Sequence, residues 1–404
     1  MKKNTPWNEK GMNLSLYFKK FFRNSQVSGI ILILCVLVSL LIANSPAAAG
    51  FQSFLDKEIG TQFLDLKYPI SIWINDGLMA VFFLLVGLEI KRELAEGELS
   101  SFKTASLPIF AAVGGMLTPA AIYSIFNFGT KYGDGWGIPM ATDIAFSLAI
   151  ISMLGKKIPN SIKIFLAALA IVDDLGTILV IAVFYTEQIH WNYLLLSGVV
   201  TAILFVLNFS KVTNLVYYIT LGLFLWYFLH HSGVHSTIAG VLLAFSIPTN
   251  ASNVNISPLD KLEHKLSIPV SFLIMPLFAL ANTNITFSNK MVEGITNTLG
   301  LGIICGAILG KLIGINLFSF IAIKLKISSL PQNSNWLQMI GVGLLAGIGF
   351  TMSIFIALIS FRGEMNIQDE AKFAILVASL VAAILGFTIL NISSKKKFVY
   401  YTET

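Results

Sequence analysis

Between residues 27 and 392 the chain is a succession of apolar runs, most of them close to twenty residues long. A helix that crosses a bilayer needs roughly 20 mainly apolar residues, and twelve stretches fit that pattern. They cover residues 27–44, 76–93, 104–127, 137–154, 162–186, 191–209, 214–230, 233–247, 262–282, 299–323, 338–361 and 372–392. The gaps between them are too short for a separate soluble domain. Charged residues make up only 12% of the chain against 55% hydrophobic, about half the charge of an ordinary soluble protein. That is too little to coat a globule, and disorder is excluded because disordered chains are charge-rich and poor in aromatics. Cys35 and Cys305 lie inside apolar runs, so neither a disulfide framework nor a cysteine metal site is supported. The expected fold is an all-α polytopic membrane protein of about 12 transmembrane helices, forming one integral membrane domain.

The first run resembles a secretory signal peptide, with basic residues before it and small residues, Ser45 to Gly50, after it. The basic region is longer than such peptides carry and the run is long enough to span, so a retained helix is expected. Lys and Arg fall unevenly across alternate loops. Twenty of the 27 lie on the side of the N-terminal tail, six on the other, and Lys311 lies within a span. The positive-inside rule then puts both termini in the cytoplasm. The net charge of +6 is explained by that basic face and requires no nucleic acid. The tail Lys395 to Lys397 suits a topology anchor or lipid contact.

Four charges remain near the middle of apolar runs: Asp143, Asp173, Asp174 and Lys311. Each costs roughly 2.5 to 3.5 kcal/mol at a helix centre. A structural ion pair would account for one Asp and one Lys, but three Asp leave excess negative charge. Excess carboxylate in a membrane calls for a water-filled cavity, a bound cation or bound protons. Asp173 and Asp174 are neighbours, about 100° apart on a helix, and cannot both face one partner. Hard cations such as Na⁺ or Li⁺ prefer oxygen ligands, and the same oxygens bind protons when the cation leaves. A site that holds a cation or protons, but not both, is the chemistry of an exchanger. Thr177, about one turn on, is a weak candidate for an extra oxygen.

Two runs carry signs of a broken helix. In the fourth, Gly137 and Pro139 precede Thr142 and Asp143; in the eleventh, Gly341, Gly343, Gly347 and Gly349 crowd together before Phe350-Thr351. Unwound backbone at membrane depth is tolerated where it is buried or lines a cavity. Facing half-helix N-termini are electropositive and would be compensated by Asp143, whereas facing C-termini would suit Lys311. The same glycines also fit close helix packing. His231 and His235 have a spacing that could suit a metal, but Ser232-Gly233 interrupts the helix and no carboxylate is near in sequence, so ordinary histidines are expected. Asp76 sits where an acid stabilises a helix start.

The run from Asn75 to Glu89 (Asn-Asp-Gly-Leu-Met-Ala-Val-Phe-Phe-Leu-Leu-Val-Gly-Leu-Glu) resembles the second-helix signature of the NhaA-type sodium/proton antiporters. Similar matches are Pro139-Met-Ala-Thr142-Asp143-Ile-Ala-Phe, Ala170-Ile-Val-Asp173-Asp174-Leu-Gly176, Gly233-Val-His235 and Gly347-Ile-Gly349-Phe350-Thr351-Met-Ser353-Ile-Phe. The likeness covers nearly the whole chain. The resemblance implies inverted-topology repeats (helices 3–5 and 10–12) that cross at discontinuous helices 4 and 11. Residues 104–186 and 299–392 would form the ion-binding core, and 27–93 with 191–282 the interface part.

Carried over by motif, Asp173 and Asp174 are the cation- and proton-binding pair, with Thr142 and Asp143 at the fourth-helix break. Lys311, in Gly310-Lys311-Leu-Ile-Gly314, is the tenth-helix lysine, expected to pair with Asp173 when the cation site is empty. Glu89, Arg92, Glu93, Glu263 and His264 match the family's pH-sensing cluster on the cytoplasmic face, although an ordinary solvated helix end would look the same. The family pattern has His-Pro where this chain has Ser267-Ile268, so a second histidine is missing and a different pH threshold is expected. The resemblance implies a homodimer, held through 51–71 on the outer side.

The expected activity is a secondary antiporter in the bacterial inner membrane that exports Na⁺ (or Li⁺) for inward H⁺, pH-regulated and electrogenic. It is no enzyme and requires no cofactor. A symporter of an organic solute would call for a roomier site with Arg or aromatic contacts. An intramembrane aspartyl protease needs its aspartates on different helices with a Gly-x-Gly-Asp motif, and here the pair is adjacent.

Overall fold

The computed structural model describes residues 25–186, 188–249, 257–287 and 289–399. The basic N-terminal tail, on which the expected orientation rests, lies outside these residues. Helix α1 (Ser25–Ala43) meets the short α2 (Ala48–Leu55) at a 114° bend. A small hairpin, β1 (Glu58–Ile59) and β2 (Tyr68–Pro69), leads into α3 (Ile70–Ala95), which holds a π-helical turn at Trp73–Leu78. Helix α4 (Phe102–Asn127) is followed by a 3₁₀ segment, Gly133–Met140, then α5 (Ile144–Met153) and α6 (Asn160–Phe184). The middle of the chain forms α7 (Trp191–Phe209), α8 (Leu215–Ser232), α9 (Ile238–Ser246) and α10 (Pro258–Asn282). The last part forms α11 (Asn289–Thr296), α12 (Thr298–Lys324), α13 (Trp336–Ala346), α14 (Phe350–Ser360) and α15 (Met365–Val399).

Each of the twelve apolar runs contains helix, but not all reach membrane-spanning length. Among the described residues, eight helices are long and apolar enough to cross a bilayer, or ten if each of two bent pairs counts as one. Helix α8 has 18 residues but carries two histidines in its last turn. Helix α9 has only nine residues, about 13 Å at the standard rise. The shortening has a local cause. Gly233, at φ +85°, stops α8, and a Cβ there would lie 2.1 Å from the Gln188 carbonyl. The turn through Ser236 then delays the start of α9.

Small residues set the tightest contacts. Gly114 of α4 and Gly314 of α12 face each other so closely that a Cβ on either would lie within 2.3 Å of the other's carbonyl. A Cβ on Gly310 would meet Pro119 at 2.6 Å. Without a hydrophobic drive between helices in lipid, such backbone approach is how they associate. The α4–α12 contact sets the depth of Lys311, which follows a π-helical turn at Gly306–Gly310. Helix α6 packs among α3, α4, α5 and α13. Helix α1 lies against α5 and the end of α10, where Ser39 Oγ donates to the Leu280 carbonyl at 2.7 Å.

Candidate ion-binding site

Asp173 and Asp174 sit on α6, an uninterrupted helix, 1% and 3% exposed. Their expected divergence is realised. Asp173 Oδ2 accepts from Lys311 Nζ at 2.5 Å, with both side chains 1% exposed. Asp174 instead lines a cavity of about 260 Å³ whose wall also includes Glu89, Asp143, Thr351, Ser267 and Ser271. Asp173 Oδ1, Asp174 Oδ1 and Thr177 Oγ1 are buried with no hydrogen-bond partner. Buried acceptors are normally satisfied, so three unmatched oxygens within about one turn of one helix suit a proton or a hard cation. Gly176, between them, serves packing: a Cβ there would lie 2.1 Å from Met116 Sδ.

The two interrupted runs meet beside this pair. Residues 141–143 are extended between the 3₁₀ segment and α5, and the α13–α14 pair bends by 43° at residues 347–349. Asp143 N donates to the Ile348 carbonyl at 2.7 Å, Thr142 Oγ1 to the Ala346 carbonyl at 2.8 Å, and Ser353 Oγ to the Ile138 carbonyl at 2.7 Å. Each break thus supplies partners for the other's freed backbone groups. The Asp143 carboxylate caps α5 by accepting from Phe146 N at 3.0 Å, and on its other oxygen accepts from Thr351 N at 3.3 Å and from Thr351 Oγ1. One negative charge therefore lies at two half-helix N-termini, as the dipole argument requires. Lys311 pairs with Asp173, and the C-terminal carbonyl at Ala346 is served by the neutral Thr142 hydroxyl.

The four glycines of the eleventh run divide between the two readings. Gly341 packs against Leu390 and Gly343 against Asn316 and Leu312, as helix-contact residues. Gly347 and Gly349 lie at the break with φ of −71° and −90°. They are needed for space: a Cβ would lie 2.4 Å from the Ala307 carbonyl at Gly347, and 2.1 Å from Ser353 Oγ at Gly349.

At the far end of α3, Arg92 forms ion pairs with Glu263 of α10 and, at 3.2 Å, with Glu93. Glu93 also accepts from Glu98 N at 3.0 Å. Glu89, one turn back, lies on the cavity wall and so connects this cluster with Asp174. His264 is exposed and stands apart from the ion pairs. Lys91, which the sequence offers only as a loop charge, donates to the Phe245 and Ile247 carbonyls at 2.8 and 2.5 Å, capping the end of α9. Thr351 is the other residue without an assigned role in the sequence; its place just after the glycine break was the available signal. Asp76 lies in the π turn of α3 and pairs with His230 Nδ1 at 3.4 Å. His235 is buried and shares a 2.9 Å hydrogen bond with Thr237. Among the described residues no group of three His, Cys, Asp or Glu side chains has metal-binding geometry.

Residues 19–390 match the family model described as Na+/H+ antiporter 1. The chain is 56% identical to Na(+)/H(+) antiporter NhaA 2 of Flavobacterium johnsoniae, covering 96% of this chain and 95% of that one. It is 50% identical to Na(+)/H(+) antiporter NhaA of Flavobacterium psychrophilum, over 93% and 96% of the two chains. Against Na(+)/H(+) antiporter NhaA of Proteus mirabilis the identity is 45%, over 94% and 97%. With its paired aspartates, its buried lysine and its two interlocked breaks, the chain belongs to the Na+/H+ antiporter 1 family.

Proposed function

We propose that Asp173 and Asp174 form one site for which Na⁺ (or Li⁺) and protons compete, and that this competition drives exchange across the bacterial inner membrane. The chain is a multi-pass Na⁺/H⁺ antiporter, a secondary transporter and not an enzyme. The observation that carries the site assignment is the split of the pair. Asp173 is held by Lys311 while Asp174 opens on the cavity, with an unmatched oxygen on each carboxylate. A cation arriving along the cavity meets Asp174 first. To be held by both carboxylates it must displace the Lys311 ammonium from Asp173. Protons neutralise the same oxygens, so occupancy by protons and by cation is mutually exclusive. Exchange of two protons for one cation moves net charge in each cycle, which makes turnover respond to membrane potential.

The finer architecture belongs to the same proposal. Twelve spans with both termini in the cytoplasm place the Glu89–Arg92 end inside and the hairpin outside. Residues 104–186 and 299–392, inverted repeats crossing at the two breaks, form the ion-binding core. Residues 27–93 and 191–282 form the interface part, and 51–71 with the hairpin hold a second copy. Thr142, Asp143 and Lys311 support the site, and Glu89, Arg92, Glu93, Glu263 and His264 regulate it by pH. Replacement of Asp174 by Asn abolishes exchange of radiolabelled Na⁺ in vesicles under this reading. Substantial residual exchange by that variant would sink it.

A further inference from the structure

An apolar cleft of about 520 Å³ opens between α3, α8 and α9 at the hairpin end of the molecule, within the size range of small-molecule sites. Its lining includes Trp73, Ala80, Leu84, Ile219, Leu223 and Trp226, with Ile59 of β1 over one end. Ile219 and Leu223 are 43% and 65% exposed on a helix of a membrane-embedded protein, so the mouth faces the bilayer. The inner wall is closed by backbone contact, since a Cβ on Gly240 would lie 2.2 Å from the Ala80 carbonyl.

The two indoles of the cleft differ in one respect. Trp73 Nε1 donates to the Ile59 carbonyl at 3.2 Å. Trp226 Nε1 is buried with no acceptor. A buried donor without a partner costs stability, and indoles at the membrane boundary usually pair one apolar face with one hydrogen bond. The Trp226 ring stacks on His230, with centroids 5.4 Å apart. His230 in turn lines an open polar hollow with Gln188, His190 and His231. Next to one another, then, come an apolar slot opening to lipid, the unmatched Trp226 donor, and a group of imidazoles that includes the unmatched His231 Nε2.

That order matches the parts of a phospholipid. We propose that the cleft holds one acyl chain of a phospholipid from the leaflet at the hairpin end, with an ester or phosphate oxygen accepting from Trp226 Nε1 and the headgroup in the histidine hollow. A second copy of the chain is a poorer occupant. The most exposed apolar residue on the hairpin, Phe63 at 93%, is not part of the cleft, and a slot this closed at its inner wall suits a flexible chain better than a helix.

The test uses the full chain, stripped of lipid in detergent and titrated with phosphatidylglycerol, phosphatidylethanolamine or an alkyl maltoside while native mass spectra are recorded. One phospholipid per chain is expected to bind, and the maltoside to compete poorly. Trp226→Phe should weaken phospholipid binding about fivefold, the worth of one neutral hydrogen bond. Ile219→Trp and Leu223→Trp, which narrow the mouth, should weaken it at least tenfold with unchanged melting of the lipid-free protein. Equal phospholipid binding by all of these proteins would overturn the proposal. So would a maltoside that binds as well as phospholipid, or a Leu223→Cys protein that links two copies by a disulfide in lipid vesicles.

Discussion

Lys311 and Asp173 form an ion pair with 2.5 Å between Nζ and Oδ2, both side chains 1% exposed. The pair joins α12 to α6 across the core. Removing one partner of a buried pair leaves an uncompensated charge and typically costs about 3–5 kcal/mol. Lys311→Met and Asp173→Asn should therefore each lower the melting temperature markedly in detergent. The double variant should recover part of that loss, because neither uncompensated charge then remains in the interior. Melting curves of the three variants check this. Additive losses in the double variant would show that the pair does not act as a unit.

Thr351 gives Asp143 two donors, its backbone N–H and its hydroxyl. Thr351→Val removes the hydroxyl and keeps the shape. A hydrogen bond to a charged group is worth about 1.5–3 kcal/mol, so the variant should lose stability of that order and melt earlier, and Thr351→Ser should restore it. Because Thr351 and Asp174 line the same cavity, the apparent Na⁺ affinity in vesicle transport is expected to fall for Val and not for Ser.

Gly347 and Gly198 should respond oppositely to alanine. At Gly347 the new methyl meets the Ala307 carbonyl at 2.4 Å, and overpacking of that kind costs about 1–3 kcal/mol. At Gly198, in the interior of α7, nothing lies within 4 Å, so the better helix propensity of alanine should stabilise by up to about 1 kcal/mol. Thermal melting of the two variants decides.

The Arg92–Glu263 pair separates a structural role from a regulatory one. The Arg92 side chain is 39% exposed, and exposed pairs contribute about 0–1 kcal/mol. Glu263→Gln should leave melting nearly unchanged. If the cluster reads pH, the same variant moves the pH profile of Na⁺-driven proton flux by a measurable fraction of a unit. An unmoved profile would reduce the cluster to a solvated helix end.

Much of this arrangement was legible in the sequence because the membrane makes charge rare. Asp143, Asp173, Asp174 and Lys311 stood out only against the apolar runs around them, and all four prove buried. Helical geometry already required Asp173 and Asp174 to face apart, and the dipole rule placed a negative charge between facing N-termini. Other features depend on three-dimensional approach, which periodicity does not encode. Nothing local marks Glu89 as sharing a cavity with Asp174, or Lys91 as the cap of a helix more than 150 residues away. The π-helical turns before Lys311 and around Asp76 carry no signal in the hydrophobic pattern. Ser232-Gly233 already signalled a break before the ninth helix, whereas the turn through Ser236 that shortens that helix to nine residues was not marked.

The shared cap at Asp143 has a mechanical consequence. A carboxylate that satisfies donors on both α5 and α14 keeps its bonds only while those half-helices hold their present spacing. Sliding one against the other would strand a charge in an apolar interior. The two breaks are therefore expected to travel together as a rigid cross-piece, and the motion that alternates access should be sought at its borders with α3, α9 and α10.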